Sequence, residues 1–141
     1  MVGAALIYPF SKCCGIEYLQ KLHILAEKIR DNYEAKFEFL MKNYPEYFET
    51  FKKIPELEIK NGDFLIEDWS DASFVFANST CFTPELMQAL AIKAEELKPG
   101  SFFVTFTKKL PGLSDNWELR AGFRRLMSWG IATVYIHYKT N

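Results

Sequence analysis

Residues that build disulfide and metal sites are scarce in this sequence of 141 residues, which has three cysteines and two histidines. Cys13 and Cys14 are adjacent and Cys81 stands alone, so no Cys-x-x-Cys spacing occurs. We therefore expect neither a disulfide framework nor a metal site, and reduced, intracellular thiols are the simplest interpretation. No apolar run approaches the roughly 20 residues that cross a bilayer, and the apolar start lacks the basic residues of a signal peptide.

An excess of positive charge is also missing, since 17 basic side chains stand against 18 acidic ones and give a net charge of −1. A domain that holds nucleic acid by charge alone is usually strongly basic. Direct nucleic-acid binding is therefore expected to be weak at best. The basic concentration at Lys108, Lys109, Arg120, Arg124 and Arg125 has two interpretations, a solvated face or a phosphate-contacting patch.

Apolar residues are abundant, at 49% of the chain, and 16% of the residues are aromatic. This composition supplies a real hydrophobic core and excludes wholesale disorder. The length fits one domain, and no repeat or linker interrupts the pattern. We therefore predict a single domain over residues 1–141.

Buried strands and amphipathic helices alternate along the chain. The predicted strands are residues 13–16, residues 57–60, Phe74–Ala77, Phe102–Phe106 and residues 131–138, while residues 117–126 fit either a strand or a helix. The predicted helices end at Ile7, run from Leu22 towards Tyr44, and run from Thr83 to about Leu97. Alternation of this kind predicts an α/β fold with a mainly parallel sheet and an antiparallel C-terminal strand.

Polar residues follow three of these strands, namely Glu17, Asp63 and Asn78. Ligands of doubly wound sheets bind beyond the carboxyl ends of the strands, so these three are candidate binding residues. A strand-end carboxylate can accept two hydrogen bonds from a ribose diol. Each residue also has a local interpretation: Glu17 as a helix-capping acid, Asp63 as a turn residue and Asn78 as an ordinary loop amide.

The histidines and nucleophiles form no catalytic pattern. His23 is expected on the surface of the amphipathic helix, and His137 is expected to be a hydrogen-bonded structural residue in the last strand. Ser79, Thr80 and Cys81 are adjacent, but a Gly-x-Ser-x-Gly turn and a Cys-His-Asn series are both missing. Covalent catalysis is therefore not expected.

Several short motifs nevertheless occur in an order that resembles a known family. They are Gly15-Ile16-Glu17, Gly62-Asp63-Phe64-Leu65 followed by Trp69, Asn78 through Phe82-Thr83-Pro84-Glu85, Leu97-Lys98-Pro99-Gly100, and Ser128-Trp129 with Val134-Tyr135-Ile136-His137. In this order they resemble the non-SET histone lysine methyltransferases of the disruptor-of-telomeric-silencing type. The resemblance implies a Rossmann-like sheet that binds S-adenosylmethionine.

Cofactor contacts are implied for five residues. By the resemblance, Glu17 holds the ribose hydroxyls, Asp63 accepts from the adenine amine, and Phe64 packs on the adenine ring. Asn78 lies by the methyl-transfer site, and Gly3 is the remnant of a glycine-rich turn. The strand before that turn has no counterpart in this sequence, so we expect an N-terminally truncated methyltransferase domain.

The acceptor channel is implied by the same resemblance. Asn78 and Tyr135 are the expected catalytic residues, and Phe82, Trp129 and Tyr135 are expected to line a narrow channel for a target lysine. A dry aromatic channel disfavours the ammonium form and aligns the amine with the sulfonium methyl. The implied partner is a protein substrate, a histone or nucleosome, and the implied location is the nucleus.

Two further functions stay open at this point. The chain could be a methyltransferase-like scaffold that binds a partner without the cofactor. It could also methylate another acceptor, because aromatic residues at strand ends suit a planar base as well as a lysine. The Asp/Asn-Pro-Pro-aromatic tetrapeptide of adenine and glutamine methylators is missing from the sequence, which argues against those acceptors.

Overall fold

The computed structural model describes residues 2–51 and 53–141. The chain forms two compact units, Met1–Glu67 and Asp68–Asn141, which are described separately below. The single domain over residues 1–141 stays a prediction. Within the described residues, the helices are too short or too polar to cross a membrane.

Unit 1 contains three helices and a pair of parallel strands. Its elements are α1 (Val2–Ile7), β1 (Lys12–Glu17), α2 (Gln20–Arg30), α3 (Tyr33–Asn43), a short 3-10 turn (Pro45–Tyr47) and β2 (Glu56–Asn61). The strands run in parallel register, from Lys12 opposite Glu56 to Glu17 opposite Asn61. Both predicted strands are confirmed, and Glu17 is the last residue of β1.

The core of unit 1 is built from Ala5, Tyr33, Phe37 and Phe51, which are all buried. The Phe37 ring makes edge-on contacts with Tyr33 at 5.4 Å and with Phe51 at 5.5 Å between ring centroids. Edge-to-face pairs of this kind add to the free energy of simple apolar burial. These contacts anchor α1 and α3 in one core.

The prediction of a single helix from Leu22 towards Tyr44 is wrong, because residues 31–32 separate two helices, α2 and α3. Asp31 turns its carboxylate to Arg30, at 2.9 Å, and the Asn32 amide donates to the carbonyl of Lys28 at 3.1 Å. Side chains of this kind compete with helical backbone hydrogen bonds. The surface position predicted for His23 is also wrong, because His23 is only 9% exposed.

Unit 2 contains four strands and one helix. They are β3 (Phe74–Ala77), α4 (Pro84–Ala94), β4 (Phe102–Phe106), β5 (Trp117–Met127) and β6 (Gly130–Lys139), with a 3-10 turn at Ser79–Cys81. The order across the sheet is β3-β4-β6-β5. Residues 117–126, for which the sequence left strand and helix open, are therefore strand.

The mainly parallel sheet that was predicted does not occur in unit 2. Strands β3 and β4 are parallel, whereas β6 is antiparallel to both β4 and β5. The reason is the tight turn at Ser128 and Trp129 between β5 and β6, because two-residue turns join only antiparallel strands. Gly130 closes this turn with a φ of 129°, a conformation that favours glycine.

Helix α4 begins as predicted, with Thr83 as its cap. The Thr83 hydroxyl accepts a hydrogen bond from the backbone N–H of Leu86 at 3.3 Å, and Pro84 occupies the first helical position. The helix buries Met87, Leu90, Ala91 and Ala94. It ends at Ala94, earlier than the predicted Leu97. Leu97 lies in the turn that follows, and its N–H donates to the carbonyl of Ala94.

The two faces of the four-stranded sheet differ in burial. Phe103 and Thr105 of β4 are fully buried, whereas Phe74 and Phe76 of β3 are 45% and 52% exposed. The prediction that β3 is buried on both faces is therefore wrong. β3 is an edge strand of this sheet, and Phe74 and Phe76 lie on its more exposed face.

A buried lysine connects the end of α4 to the last strand. Lys139 is 5% exposed, and its ammonium donates to the carbonyl of Glu95 at 2.6 Å. The Glu95 carboxylate lies 3.5 Å from that ammonium and also accepts from the Trp117 indole at 3.2 Å. The Ser114 N–H donates to the same carboxylate at 2.9 Å. This network fixes the loop before β5 against α4.

Candidate functional site

The carboxyl ends of β1 and β2 form one edge of the sheet of unit 1. Glu17 ends β1 opposite Asn61, which ends β2. The N–H of Gly62 donates to the carbonyl of Glu17 at 3.2 Å, so the two strand ends stay together beyond the last paired residues. Asp63 and Phe64 follow at once. The structure therefore brings the predicted Glu17, Asp63 and Phe64 to the same sheet edge.

Each acid at this edge uses one carboxylate oxygen locally. Oε1 of Glu17 accepts from the N–H of Leu19 at 2.8 Å, and Oδ1 of Asp63 accepts from the N–H of Leu65 at 2.8 Å. These are the capping and turn contacts of the local interpretations. Oε2 of Glu17 and Oδ2 of Asp63 accept no hydrogen bond within residues 2–51 and 53–141. The edge therefore presents two acceptor oxygens that a ligand could use.

Asn61 contributes to this edge and was not identified from the sequence. Its amide donates to the carbonyls of Glu17, at 2.9 Å, and Tyr18, at 3.3 Å. It thereby fixes the backbone that carries the Glu17 carboxylate. In the sequence, Asn61 and Gly62 indicate only a turn. The role of Asn61 arises from the pairing of β1 with β2, which is a property of the fold.

Gly62 lies close to the Glu67 side chain at the same edge. A Cβ at Gly62 would overlap the Glu67 carboxylate, whose Oε2 lies 3.7 Å from the Lys60 ammonium. Any side chain here would displace Glu67. Gly3 lies in the first turn of α1, so its predicted cofactor contact stays a prediction.

In unit 2, Asn78 directly follows β3 and begins a polar turn. Its Oδ1 accepts from the Thr80 hydroxyl at 3.1 Å. The fully buried Ser79 hydroxyl donates to the carbonyl of Phe106 at 2.7 Å and accepts from the N–H of Phe106 at 3.2 Å. The end of β3 is therefore tied to the end of β4, and Asn78 is held at the carboxyl edge of this parallel pair.

Thr107, just beyond β4, has a φ of 68° and is the one non-glycine residue of the described chain with a positive φ. The N–H of Lys108 donates to the carbonyl of Phe106 at 2.7 Å, which closes a three-residue turn on Thr107. This conformation is costly for a β-branched residue. Strained residues cluster at functional sites, and the Thr107 hydroxyl lies 3.4 Å from that of Thr80.

The predicted channel residues are divided between the faces of the sheet. Tyr135 pairs with Thr105, whose side chain lies on the face opposite to that of Phe106, because strand residues alternate. The Trp129 ring instead lies 6.4 Å from the Phe106 ring, and Trp129 is 57% exposed. The structure therefore does not bring Trp129 and Tyr135 to one face, and their joint role as a channel stays a prediction.

Phe82 and Tyr135 each lie beside a lysine. The Lys108 ammonium donates to the backbone carbonyl of Phe82, and the Lys109 ammonium lies 5.6 Å from the centre of the Tyr135 ring. Gly122 lies opposite Tyr135 in β5, and a Cβ there would come within 3.3 Å of the ring. The Tyr135 ring thus fills space left by Gly122 and already accepts a cation on its surface.

His137 is a structural residue, as predicted. It is 3% exposed, and its Nδ1 lies 3.1 Å from the carbonyl oxygen of Phe103. A carbonyl only accepts, so Nδ1 carries the proton and donates. Nε2 then accepts from the N–H of Leu110 at 3.4 Å. Burial lowers the pKa of His137, and the nearby Lys109 lowers it further.

The cysteines and acids give no sign of other chemistry. Cys13, Cys14 and Cys81 are free thiols, and burial raises the pKa of Cys13 and of Cys14, which makes them poorer nucleophiles at neutral pH. In the part of the chain that the structure describes, no three histidines, cysteines or acids are grouped as metal ligands.

Two solved structures share this architecture. HI0767 of Haemophilus influenzae, a candidate methylase, superposes with a TM-score of 0.58 and 18% identity over 93% of this chain and 74% of its own. YhhF of Escherichia coli, a candidate methyltransferase, superposes with a TM-score of 0.54 and 15% identity over 93% of this chain and 64% of its own.

No protein-family model matches the sequence, and no curated protein matches it. At 15% and 18% identity the two structures speak to the fold alone. The strand ends of each unit, with their acids and amides, lie where ligands of such folds bind. The chain therefore has an α/β fold with mixed sheets that resembles the fold of these two proteins.

Proposed function

We propose that this chain belongs to an S-adenosylmethionine-dependent methyltransferase. The observation that carries the proposal is the pair of acids, Glu17 and Asp63, at the carboxyl ends of adjacent parallel strands, each with one unused carboxylate oxygen. The fold supports the proposal, and so does the description of HI0767 and YhhF as a candidate methylase and methyltransferase.

The cofactor fits the chemistry of this sheet edge. A ribose diol and an adenine amine are hydrogen-bond donors, and Oε2 of Glu17 and Oδ2 of Asp63 are acceptors of the matching kind. Phe64, next to Asp63, supplies an aromatic ring for the adenine. When bound, S-adenosylmethionine supplies an electrophilic methyl group on a positively charged sulfur.

The residues of the chain then have simple tasks. Glu17 and Asp63 orient the nucleoside part of the cofactor, and Asn61 keeps the Glu17 backbone in place through its two hydrogen bonds. In unit 2, Asn78 offers a polar group at a sheet end that the Ser79 and Phe106 hydrogen bonds hold rigid. Orientation of this kind is the main contribution a protein makes to a methyl transfer.

We propose a protein lysine as the acceptor, with a histone in a nucleosome as the substrate and the nucleus as the location. The family resemblance of the motifs supports this choice. Incubation with nucleosomes and a labelled methyl donor is expected to label histone; labelling of free nucleic acid instead would contradict the lysine acceptor.

The cofactor proposal is tested by titration calorimetry of S-adenosylmethionine into the whole chain and its variants. Glu17→Gln keeps the acceptor for the N–H of Leu19 but removes the charge that holds the ribose, so we expect affinity to fall about tenfold or more. Glu56→Gln is the matched control, because Glu56 lies at the opposite end of the same sheet, 3.4 Å from the Lys12 ammonium.

Equal affinity of the Glu17→Gln variant and the wild type would remove Glu17 from the cofactor site. If the wild-type chain binds no S-adenosylmethionine while it stays folded, the cofactor proposal fails and the scaffold function is favoured.

A further inference from the structure

Unit 1 contains a cavity of about 370 Å³ between its three helices. Most of its wall is apolar, from Leu6 of α1, Ile29 of α2, and Phe37 and Leu40 of α3. This volume lies in the range of small-molecule sites, which are mostly apolar with a few polar groups that fix orientation. The cavity involves none of the strand-end residues of the proposed cofactor site.

The Tyr33 ring forms part of the cavity wall. The residue is 5% exposed, and its buried hydroxyl has no hydrogen-bond partner in the described part of the chain. A molecule the size of water does not reach this hydroxyl, so a ligand in the cavity meets the ring and not the hydroxyl. Tyr33 therefore adds to the apolar part of the wall.

The charges along the cavity are of one sign. Lys28 and Lys36 line it, and neither forms an ion pair with a described residue. Asn32 lies between them in the chain and also lines the cavity, whereas no acid does. The neighbouring Arg30 is already paired with Asp31 at 2.9 Å and Glu27 at 3.6 Å. Lysine ammonium groups beside an apolar cavity match a ligand with an apolar body and a negative head.

We propose that this cavity binds a small aliphatic carboxylate. Its chain would pack against Leu6, Ile29 and Leu40, and its carboxylate would pair with the ammonium groups of Lys28 and Lys36. The chemical class follows from two observations that agree: an apolar wall and cations without paired acids.

Decanoate is a suitable probe, and decanol and decylammonium are its neutral and cationic counterparts. A ligand that binds only the folded chain raises its unfolding temperature in proportion to the logarithm of ligand concentration. We expect decanoate to raise the unfolding temperature of the whole chain, decanol to raise it less, and decylammonium to leave it unchanged. In nitrogen–proton correlation spectra, the shifts caused by decanoate should be confined to α1, α2 and α3.

Two variants identify the cavity as the site. The double variant Lys28→Gln/Lys36→Gln should bind decanoate about tenfold more weakly, because charge-assisted hydrogen bonds are lost. Lys21→Gln is the matched control, since Lys21 is an exposed lysine of α2 outside the cavity, and its affinity should be unchanged. Lys28→Gln alone should also weaken decanoate binding, but by less than the double variant.

The proposal is overturned if decanoate gives no shift at millimolar concentration. Equal shifts with decanoate and decanol would overturn the anionic class, and an unchanged affinity of the double lysine variant would overturn the site. The single Lys28→Gln variant changes one exposed side chain and is expected to fold, so it keeps the test decisive if the double variant does not fold.

Discussion

At the scale of single residues, His137 connects the sheet of unit 2 to the loop before β5. Its ring donates to the Phe103 carbonyl and accepts from the Leu110 N–H, and the second of these contacts requires the neutral form. A proton added to Nε2 would face the Leu110 donor inside the protein. The lowered pKa of His137 therefore has a direct consequence for stability.

We predict that acid destabilises the chain through His137. The unfolded histidine has a pKa near 6.5 and the folded one a lower pKa, so the unfolded state binds more protons between the two values. Stability is therefore complete above pH 6.5 and is lost as the pH falls towards the folded pKa, by up to about 1.4 kcal/mol per pH unit. Urea unfolding at pH 7.5, 6.5 and 5.5 measures this loss.

His137→Gln should be less stable at pH 7.5 but should lose less stability on acidification than the wild type. His23→Gln serves as the control, because it keeps His137 and should keep the acid-dependent loss. A loss of the same size in the His137→Gln variant would assign the acid sensitivity to other groups.

The residues of the candidate site differ in how far the sequence could identify them. Glu17, Asp63 and Asn78 were predicted because polar residues at strand ends have a general meaning in α/β folds. Asn61 and Thr107 were missed. The role of Asn61 depends on a hydrogen bond to a strand that lies 44 residues away in the chain, and no residue type announces a positive φ at a threonine.

At the scale of elements, α4 illustrates how a local signal fixes a helix end. Thr83, Pro84 and Glu85 supply the cap, the first helical residue and an acid near the positive helix end, and none of these depends on tertiary contacts. The helix then buries Met87, Leu90, Ala91 and Ala94. Local and tertiary preferences agree here, which explains why the predicted start was correct.

We predict that Thr83→Ala lowers the free energy of unfolding by about 1 kcal/mol, because the N–H of Leu86 loses its acceptor. Chemical denaturation measures the change. Thr50→Ala is the control, since Thr50 is exposed and lies outside every helix and strand, and it should change stability by only a few tenths of a kcal/mol. Equal effects of the two substitutions would show that the cap contributes little.

Other elements could not be predicted because their form depends on distant parts of the chain. The apolar spacing of Leu22, Leu25 and Ile29 predicted an inward face, yet these side chains are 49%, 55% and 54% exposed. The strand β3 was predicted as buried from its continuous apolar run, but Phe74 and Phe76 of this edge strand are 45% and 52% exposed. Periodicity indicates an element and cannot by itself say what covers it.

At the scale of the whole molecule, the chain contains two sheets that differ in the directions of their strands. Unit 1 has a parallel pair, and unit 2 combines one parallel pair with an antiparallel hairpin. The sequence predicted the strands and the antiparallel finish, because both have local signals. The predicted excess of parallel pairs was wrong, because the order of the strands depends on which strand edges meet in space.

The hairpin of β5 and β6 has a consequence for how the chain assembles during synthesis. Only Ser128 and Trp129 separate its strands, so its pairing closes the shortest loop in unit 2 and can form within microseconds. It is also synthesised after β3 and β4. Strands β3 and β4, with their exposed phenylalanines, are synthesised first and must wait for β6 to complete their sheet. In this interval the nascent chain exposes aromatic, aggregation-prone strands. A chaperone that covers them would raise the yield of folded protein.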